Sequence, residues 1–218
     1  MNQIRINKVH FPITSLGYGR RVGIWTQGCS IGCAGCISRD TWESGTKHDI
    51  EVDTLVRNLA SWLVEADGVT VSGGEPFDQP EALAELLREI RCLLSGDILV
   101  YSGYSQNTLI ERHEGILDLV DVLISEPYRP ETGQTLALRG SDNQRVSLLT
   151  ELARRRYPAD IDTRPWRGER HLDVMMDGDE LWLAGIPRPA AMAQLRKKLL
   201  QAGFSCRTSE QAAVRIRA

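Results

Sequence analysis

Gly68-Val69-Thr70-Val71-Ser72-Gly73-Gly74-Glu75-Pro76 is a short apolar run that ends in a double-glycine turn. Val69 and Val71 are β-branched and favour a strand. Gly73 and Gly74 carry no side chain, so a ligand is expected to approach their backbone closely. Glu75 offers a carboxylate to a ligand's amino group, and Pro76 fixes the direction in which the chain leaves. On this reading, valine at Gly74 weakens ligand binding and leaves a metal centre elsewhere in the site intact. Alone, the stretch reads as a strand-turn-helix junction.

Outward from this junction, strands and helices alternate. Pro80 opens a helix at its first turn, where a missing N–H costs nothing, and Leu83, Leu86, Leu87, Ile90 and Leu94 recur on its inward face. Residues 97–101 form the next strand. Upstream, residues 20–27 read as strand and residues 52–64 as an amphipathic helix with Leu55, Val56, Leu59, Trp62 and Leu63 on one face. A further turn of helix is expected near Ser105, a strand over residues 120–125, and another over 136–139. Alternation of this kind implies a mostly parallel sheet with helical crossovers. The expected fold class is therefore α/β, a partial (β/α) barrel with a small C-terminal hairpin-helix extension. Ligands sit at the carboxyl ends of strands in such sheets, so the loops after residues 27, 72 and 101 share one rim.

The first of these loops carries Cys29-Ser-Ile-Gly-Cys33-Ala-Gly-Cys36. Three thiolates can hold a four-iron cluster and leave its fourth iron free for a substrate or cofactor. Joined by His48 they would also make a Cys3His zinc set. Structural zinc sites usually pair two short spacings, however, and no second pair exists here. Disulfides fit less well, because the five cysteines are odd in number, three crowd one loop, and no signal peptide is read. Cys92 falls in an apolar helix face and is expected in the core, and Cys206 stands alone. His10, His48, His113 and His171 lack ligand spacing.

Taken together, the Cys-x3-Cys-x2-Cys loop and the Gly-Gly-Glu-Pro turn resemble the radical S-adenosylmethionine superfamily. The resemblance implies a 4Fe-4S cluster on Cys29, Cys33 and Cys36, with S-adenosyl-L-methionine chelating the open iron. Ser72, Gly73, Gly74 and Glu75 would bond the amino group of the cofactor's methionine part. One electron from the cluster would then cleave the cofactor to methionine and a 5'-deoxyadenosyl radical that abstracts a hydrogen atom. Ser102, Gly103 and Tyr104 are the candidate adenosine contacts, by backbone or by ring stacking, and Tyr101 is a weaker one. Asn143 and Gln144 read as a helix cap or, from the resemblance alone, as contacts to the cofactor's ribose or carboxylate.

A narrower likeness runs over about residues 1–150. Ser15-Leu-Gly-Tyr-Gly-Arg-Arg-Val-Gly-Ile-Trp-Thr-Gln-Gly-Cys29, Cys36-Ile-Ser-Arg-Asp-Thr-Trp42, Tyr101-Ser-Gly-Tyr104 and Leu138-Arg-Gly-Ser-Asp-Asn-Gln144 resemble the activating enzymes of glycyl-radical proteins. The nearest likeness is to those that serve anaerobic ribonucleotide reductase. This implies a cytoplasmic enzyme whose substrate is a glycine of a large protein partner, with flavodoxin or ferredoxin as electron donor. Tyr18, Ile37 and Ser102 depart from the family's usual proline, aromatic and threonine. The tail beyond residue 150 departs further, since the smallest activating proteins lack it. Two alternatives stand beside this reading: a radical enzyme acting on another peptide or a small molecule, and a non-catalytic iron-sulfur or zinc protein.

The length of 218 residues suits one domain plus an appendage. The expected division is a catalytic domain over 1–150, an Arg/Pro-rich linker over 151–170, and a hairpin-helix extension over 171–218. Hydrophobic content of 42% suffices for a core, and the net charge of -3 argues against a polyanion-binding surface. No apolar run approaches the roughly 18 residues of a membrane span. Glu151, Asp160, Asp162 and Glu169 interleave with the linker's arginines, which reads as a solvated loop rather than a nucleic-acid patch. Residues 172–176 and 180–183 flank Asp177-Gly178-Asp179, a hairpin signal, and a helix over 189–202 ends at Gly203. This tail is expected to cover the sheet's open edge or to dock a partner.

Overall fold

The computed structural model describes residues 2–45, 48–177 and 180–204. Its centre is a mixed sheet in the order β3-β1-β2-β4-β5-β6-β7. The strands are β1 (Gln3–Ile13), β2 (Arg21–Thr26), β3 (Asp49–Glu51), β4 (Gly68–Gly73), β5 (Asp97–Tyr101), β6 (Val122–Ser125) and β7 (Arg145–Leu148). β2, β4, β5 and β6 run parallel. The remaining pairings, β1 with β2 and β3 and β7 with β6, are antiparallel. The α/β class and the mostly parallel centre are thus as expected.

Helices α1 (Val52–Glu65), α2 (Pro80–Leu93) and α3 (Gln106–Leu117) make the crossovers between the parallel strands. Because those strands follow one another in space as in sequence, right-handed crossovers place all three helices on one face. α1 turns Val52, Leu55, Val56, Leu59 and Leu63 inward, and α2 turns Leu83, Leu86, Leu87 and Ile90 inward. They meet Val22, Ile24, Val69, Val71, Ile98, Val100 and Leu123 of the sheet in one core. α3 is longer than the expected turn; the Ser105 hydroxyl accepts from Thr108 N at 3.2 Å to cap it, and it kinks at His113.

Strand side chains alternate between faces, so Leu99, Val122 and Ile124 point to the opposite side. There they pack on Leu138, Val146, Ala153, Tyr157 and Ile161, drawing α4 (Glu151–Arg156) and residues 157–161 onto the sheet. Near the amino ends of the strands, Arg21 is wholly buried and pairs with Asp97 at 2.8 Å. Tyr157 donates to the same carboxylate at 2.9 Å, and Arg156 reaches it at 3.0 Å.

The extension folds as β8 (Leu172–Asp177), β9 (Glu180–Gly185) and α5 (Ala191–Gln201). Gly178 and Asp179 of the expected turn lie outside the described residues, as does Cys206. β8 and β9 form a sheet of their own and pair with neither edge of the large one. They lie over the second face instead, where Ala184 and Ile186 pack on Ile13, Leu16 and Trp25. Asp173 fastens them: its carboxylate accepts from Thr14 N and Oγ1 at 2.8 Å each and from Ser15 N and Oγ at 2.9 and 2.6 Å.

Three local expectations are corrected. Residues 136–139 are not a strand; Leu136 makes one bridge to Pro165, and the pairing strand is β7. Asn143 and Gln144 cap no helix, because β7 follows them. Asn143 instead bonds Pro127 O and Thr132, and the Gln144 side-chain Oε1 accepts from Gly140 N and Ser141 N. Cys92 is exposed rather than in the core, since it sits about 200° around α2 from inward Ile90. Among the described residues no helix is long and apolar enough to cross a membrane.

Candidate active site

Three loops leave the carboxyl ends of β2, β4 and β5, and the structure ties them together. The cysteine loop closes at its neck: Gly28 N donates to Thr41 O at 2.7 Å and Cys29 N to Trp42 O at 3.2 Å. Buried Gln27 spans the same neck, its amide donating to Asp40 O at 3.1 Å and Glu43 O at 2.7 Å. The β4 turn is stitched to this neck by Gly74 N to Thr26 O, 2.9 Å, and Glu75 N to Gly28 O, 2.8 Å.

That stitching explains the double glycine. Gly73 has φ of +102°, and a Cβ at Gly74 would lie 2.0 Å from the Gly28 carbonyl oxygen. What approaches the backbone at Gly74 is therefore the protein's own chain, one residue before Cys29. On this ground the expected outcome for Gly74→Val changes: it should disturb the metal centre as well as ligand binding.

Glu75 is buried, and its carboxylate accepts from Ser102 Oγ at 2.8 Å, Phe77 N at 3.1 Å and Gly103 N at 2.7 Å. Burial pushes the carboxyl up to about 7, against the pull of these donors. A carboxylate offers roughly four lone-pair sites, so three protein donors leave room for about one more. Glu75 thus clamps the β4 turn to the 102–104 loop. Ser72 lies half-buried on the chamber wall described below.

Asp78, which sequence reasoning missed, makes the third tie. It accepts from Ser30 N at 2.7 Å, Ser30 Oγ at 2.8 Å and Tyr104 OH at 2.7 Å. The Tyr104 hydroxyl is thereby committed to the cysteine loop, and Tyr101 donates to Leu138 O at 2.8 Å. The only signal available was an acidic side chain three residues after Glu75.

Cys29, Cys33 and Cys36 are free thiols, half-buried on the loop. Burial pushes all three up, Cys29 to about 11. N–H groups pull the other way: Gly32 and Ile31 at Cys29, Tyr128 at Cys33, Ser38 and the Trp42 side chain at Cys36. Donors aimed at sulfur suit a thiolate once a metal has displaced its proton. Among the described residues no group of three His, Cys, Asp or Glu side chains is arranged around a single metal ion. Thiolates that each meet a different iron of a cluster have no need of that convergence. The donor set fits the cluster. His48 is half-buried beyond the loop's neck.

Beside Cys36 opens a chamber of about 950 Å³ whose walls include Ser72, Tyr101, Tyr128 and Gln144.

Set beside known proteins, residues 15–147 match the family described as the 4Fe-4S single cluster domain. The chain belongs to that family. Among similar curated proteins is the anaerobic ribonucleoside-triphosphate reductase-activating protein of Salmonella typhimurium, 30% identical over 149 residues. The alignment spans 64% of this chain and 96% of that protein. Its Escherichia coli K12 counterpart is 28% identical over the same shares. The pyruvate formate-lyase-activating enzyme of Staphylococcus aureus is 38% identical over 80 residues, 34% of this chain and 32% of that enzyme. The resemblance read from the sequence is borne out, and with it the 4Fe-4S cluster and S-adenosylmethionine as cofactors. β8, β9 and α5 of this 4Fe-4S family member lie beyond the matched residues.

Proposed function

We propose that this protein is a radical S-adenosylmethionine enzyme of the activating type, acting on a glycine of a glycyl-radical enzyme such as anaerobic ribonucleotide reductase. The observation that carries the reading is the tie of three loops on one rim: the three-cysteine loop, the β4 turn and the 102–104 loop, joined through Glu75 and Asp78. Cys29, Cys33 and Cys36 are the cluster ligands in this proposal. Ser72, Gly73, Gly74 and Glu75 hold the cofactor's amino end, and Ser102, Gly103 and Tyr104 flank its adenosine.

When bound, cluster and cofactor supply one-electron cleavage to a 5'-deoxyadenosyl radical that takes a hydrogen atom from the substrate glycine. The chain's own residues bind, orient and shield. Glu75, fixed by three donors, holds rigid the turn that would receive the cofactor's ammonium. Trp25, Tyr101 and Tyr128 line the chamber beside Cys36 and limit water near the reacting carbon.

The partial barrel belongs to this proposal, supported by four parallel strands with helical crossovers between them. The division into a catalytic domain over 1–150, a linker over 151–170 and an extension over 171–218 belongs to the same proposal. So do a cytoplasmic location and a flavodoxin or ferredoxin donor.

The test is anaerobic. The protein is loaded with iron and sulfide, reduced, given S-adenosylmethionine and assayed for 5'-deoxyadenosine by chromatography with mass detection. Product that disappears in Cys33→Ala is expected. No product from a fully loaded, reduced protein, with or without a glycyl-radical partner, would overturn the reading.

A further inference from the structure

The chamber beside Cys36 has two walls of different origin. The inner wall, with Trp25, Ser72, Tyr101 and Tyr128, comes from the residues the family shares. The outer wall, with Trp182, Leu183, Ile186, Arg188 and Arg196, comes from β9, the loop after it and α5.

This outer wall is held in place rather than draped. Besides the four bonds to Asp173, Trp182 meets Trp25 edge-on with centroids 4.3 Å apart.

The chamber's charge is uneven. Among the described residues, four charged ones line it: Lys8, Asp40, Arg188 and Arg196. Lys8 and Asp40 lie within electrostatic reach of each other and offset. Arg188 and Arg196 form no ion pair with any described residue. Arg196 Nε is moreover buried with no hydrogen-bond partner. Burial closes that one nitrogen to a ligand, but Arg188 is exposed and Arg196 only half-buried, so their charge borders the chamber with no counter-charge among the described residues. The excess positive charge therefore sits on the outer wall.

We propose that the C-terminal extension is the substrate-selecting wall, and that it selects a peptide segment carrying a carboxylate, held by Arg188 and Arg196. The proposal rests on the reading that the substrate is a segment of a protein. Trp182 supplies the apolar surface against which the segment packs. The extension thus adds a recognition element that the shorter relatives lack, without altering the rim.

The experiment uses the full-length, cluster-loaded protein with S-adenosylmethionine and two labelled pools of acetylated, amidated peptides centred on glycine. One pool is flanked by Asp and Glu, the other by Lys and Arg, and fluorescence anisotropy reads binding. The acidic pool is expected to bind about tenfold tighter, as two charge-assisted contacts allow. In the double variant Arg188→Glu, Arg196→Glu, whose circular dichroism must match the wild type, the preference reverses. Equal binding in the wild type, or a preference untouched by the double variant, would overturn the proposal. 5'-Deoxyadenosine formed by the wild type without peptide is measured in parallel. Its absence both with and without a glycyl-radical partner, alongside an intact acidic preference, sinks the radical reading and leaves the wall; its presence without that preference sinks only the wall.

Discussion

Gly74→Ala is expected to cost the protein both stability and iron. The added methyl carbon would lie 2.0 Å from Gly28 O and 2.8 Å from Gly28 C, against about 3.3 Å for an ordinary carbon-oxygen contact. More than about an ångström must come from backbone, because no flexible side chain stands in the way. The Gly28 peptide is held by its own bond to Thr41 O and by the bond from Glu75 N, and moving it strains both. Overpacking costs about 1–3 kcal/mol and each of the two weakened bonds about 1 kcal/mol, giving roughly 3–5 kcal/mol. For a chain of this size that is a fall in Tm of roughly 6–20 °C. The metal-free protein is melted by circular dichroism, and iron content is measured after anaerobic loading. Gly115→Ala, in α3 with nothing within 4 Å, is the control and should be neutral or slightly stabilising. A Gly74→Ala protein that melts with the wild type and loads iron fully would refute the argument.

Arg21→Met leaves the Asp97 carboxylate buried without its main partner and should destabilise by about 3–5 kcal/mol in denaturant melts; a shift within about 1 kcal/mol would show that Arg156 and Tyr157 suffice. Asp78→Ala unties Ser30 and Tyr104, so a chelator should strip iron about tenfold faster, and an unchanged rate would mean that the cysteine loop needs no such anchor. Asp173→Ala should free the hairpin to limited proteolysis between β8 and β9 while the core stays resistant. Burial works against the Asp173 carboxylate, yet the donors of Ser15 and Thr14 hold it below the usual range. Its contribution is therefore present above the ordinary carboxylate pKa and lost as pH falls through the lowered value. Wild-type hairpin cleavage by an acid-active protease should rise there, and the variant's should not change.

The parallel centre was legible because its strands are short apolar runs punctuated by glycine and proline, and its helices keep one apolar stripe. β1 was not, since Gln3, Arg5 and Asn7 interrupt its apolar residues and most of the strand is only half-buried. β7 is four residues with two polar ones, too short to announce a period. The rim's three loops could be placed from sequence, but their mutual ties could not. Asp78 meets Ser30 across 48 residues and Tyr104 across 26, and no local pattern records such a meeting. Glu75 shows the subtler failure: its residue type was informative, but a burial that commits most of its carboxylate to the protein appears only in three dimensions.

The short antiparallel strands at both margins of the large sheet bear on the protein's life before it acquires a metal. β3 is three residues with Asp49 and Glu51 at its ends, and β7 is four residues beginning with exposed Arg145. Short, charged margins are poor templates for another chain to pair with. Before iron and sulfide arrive, the margins of the large sheet thus give a neighbouring copy little to pair with.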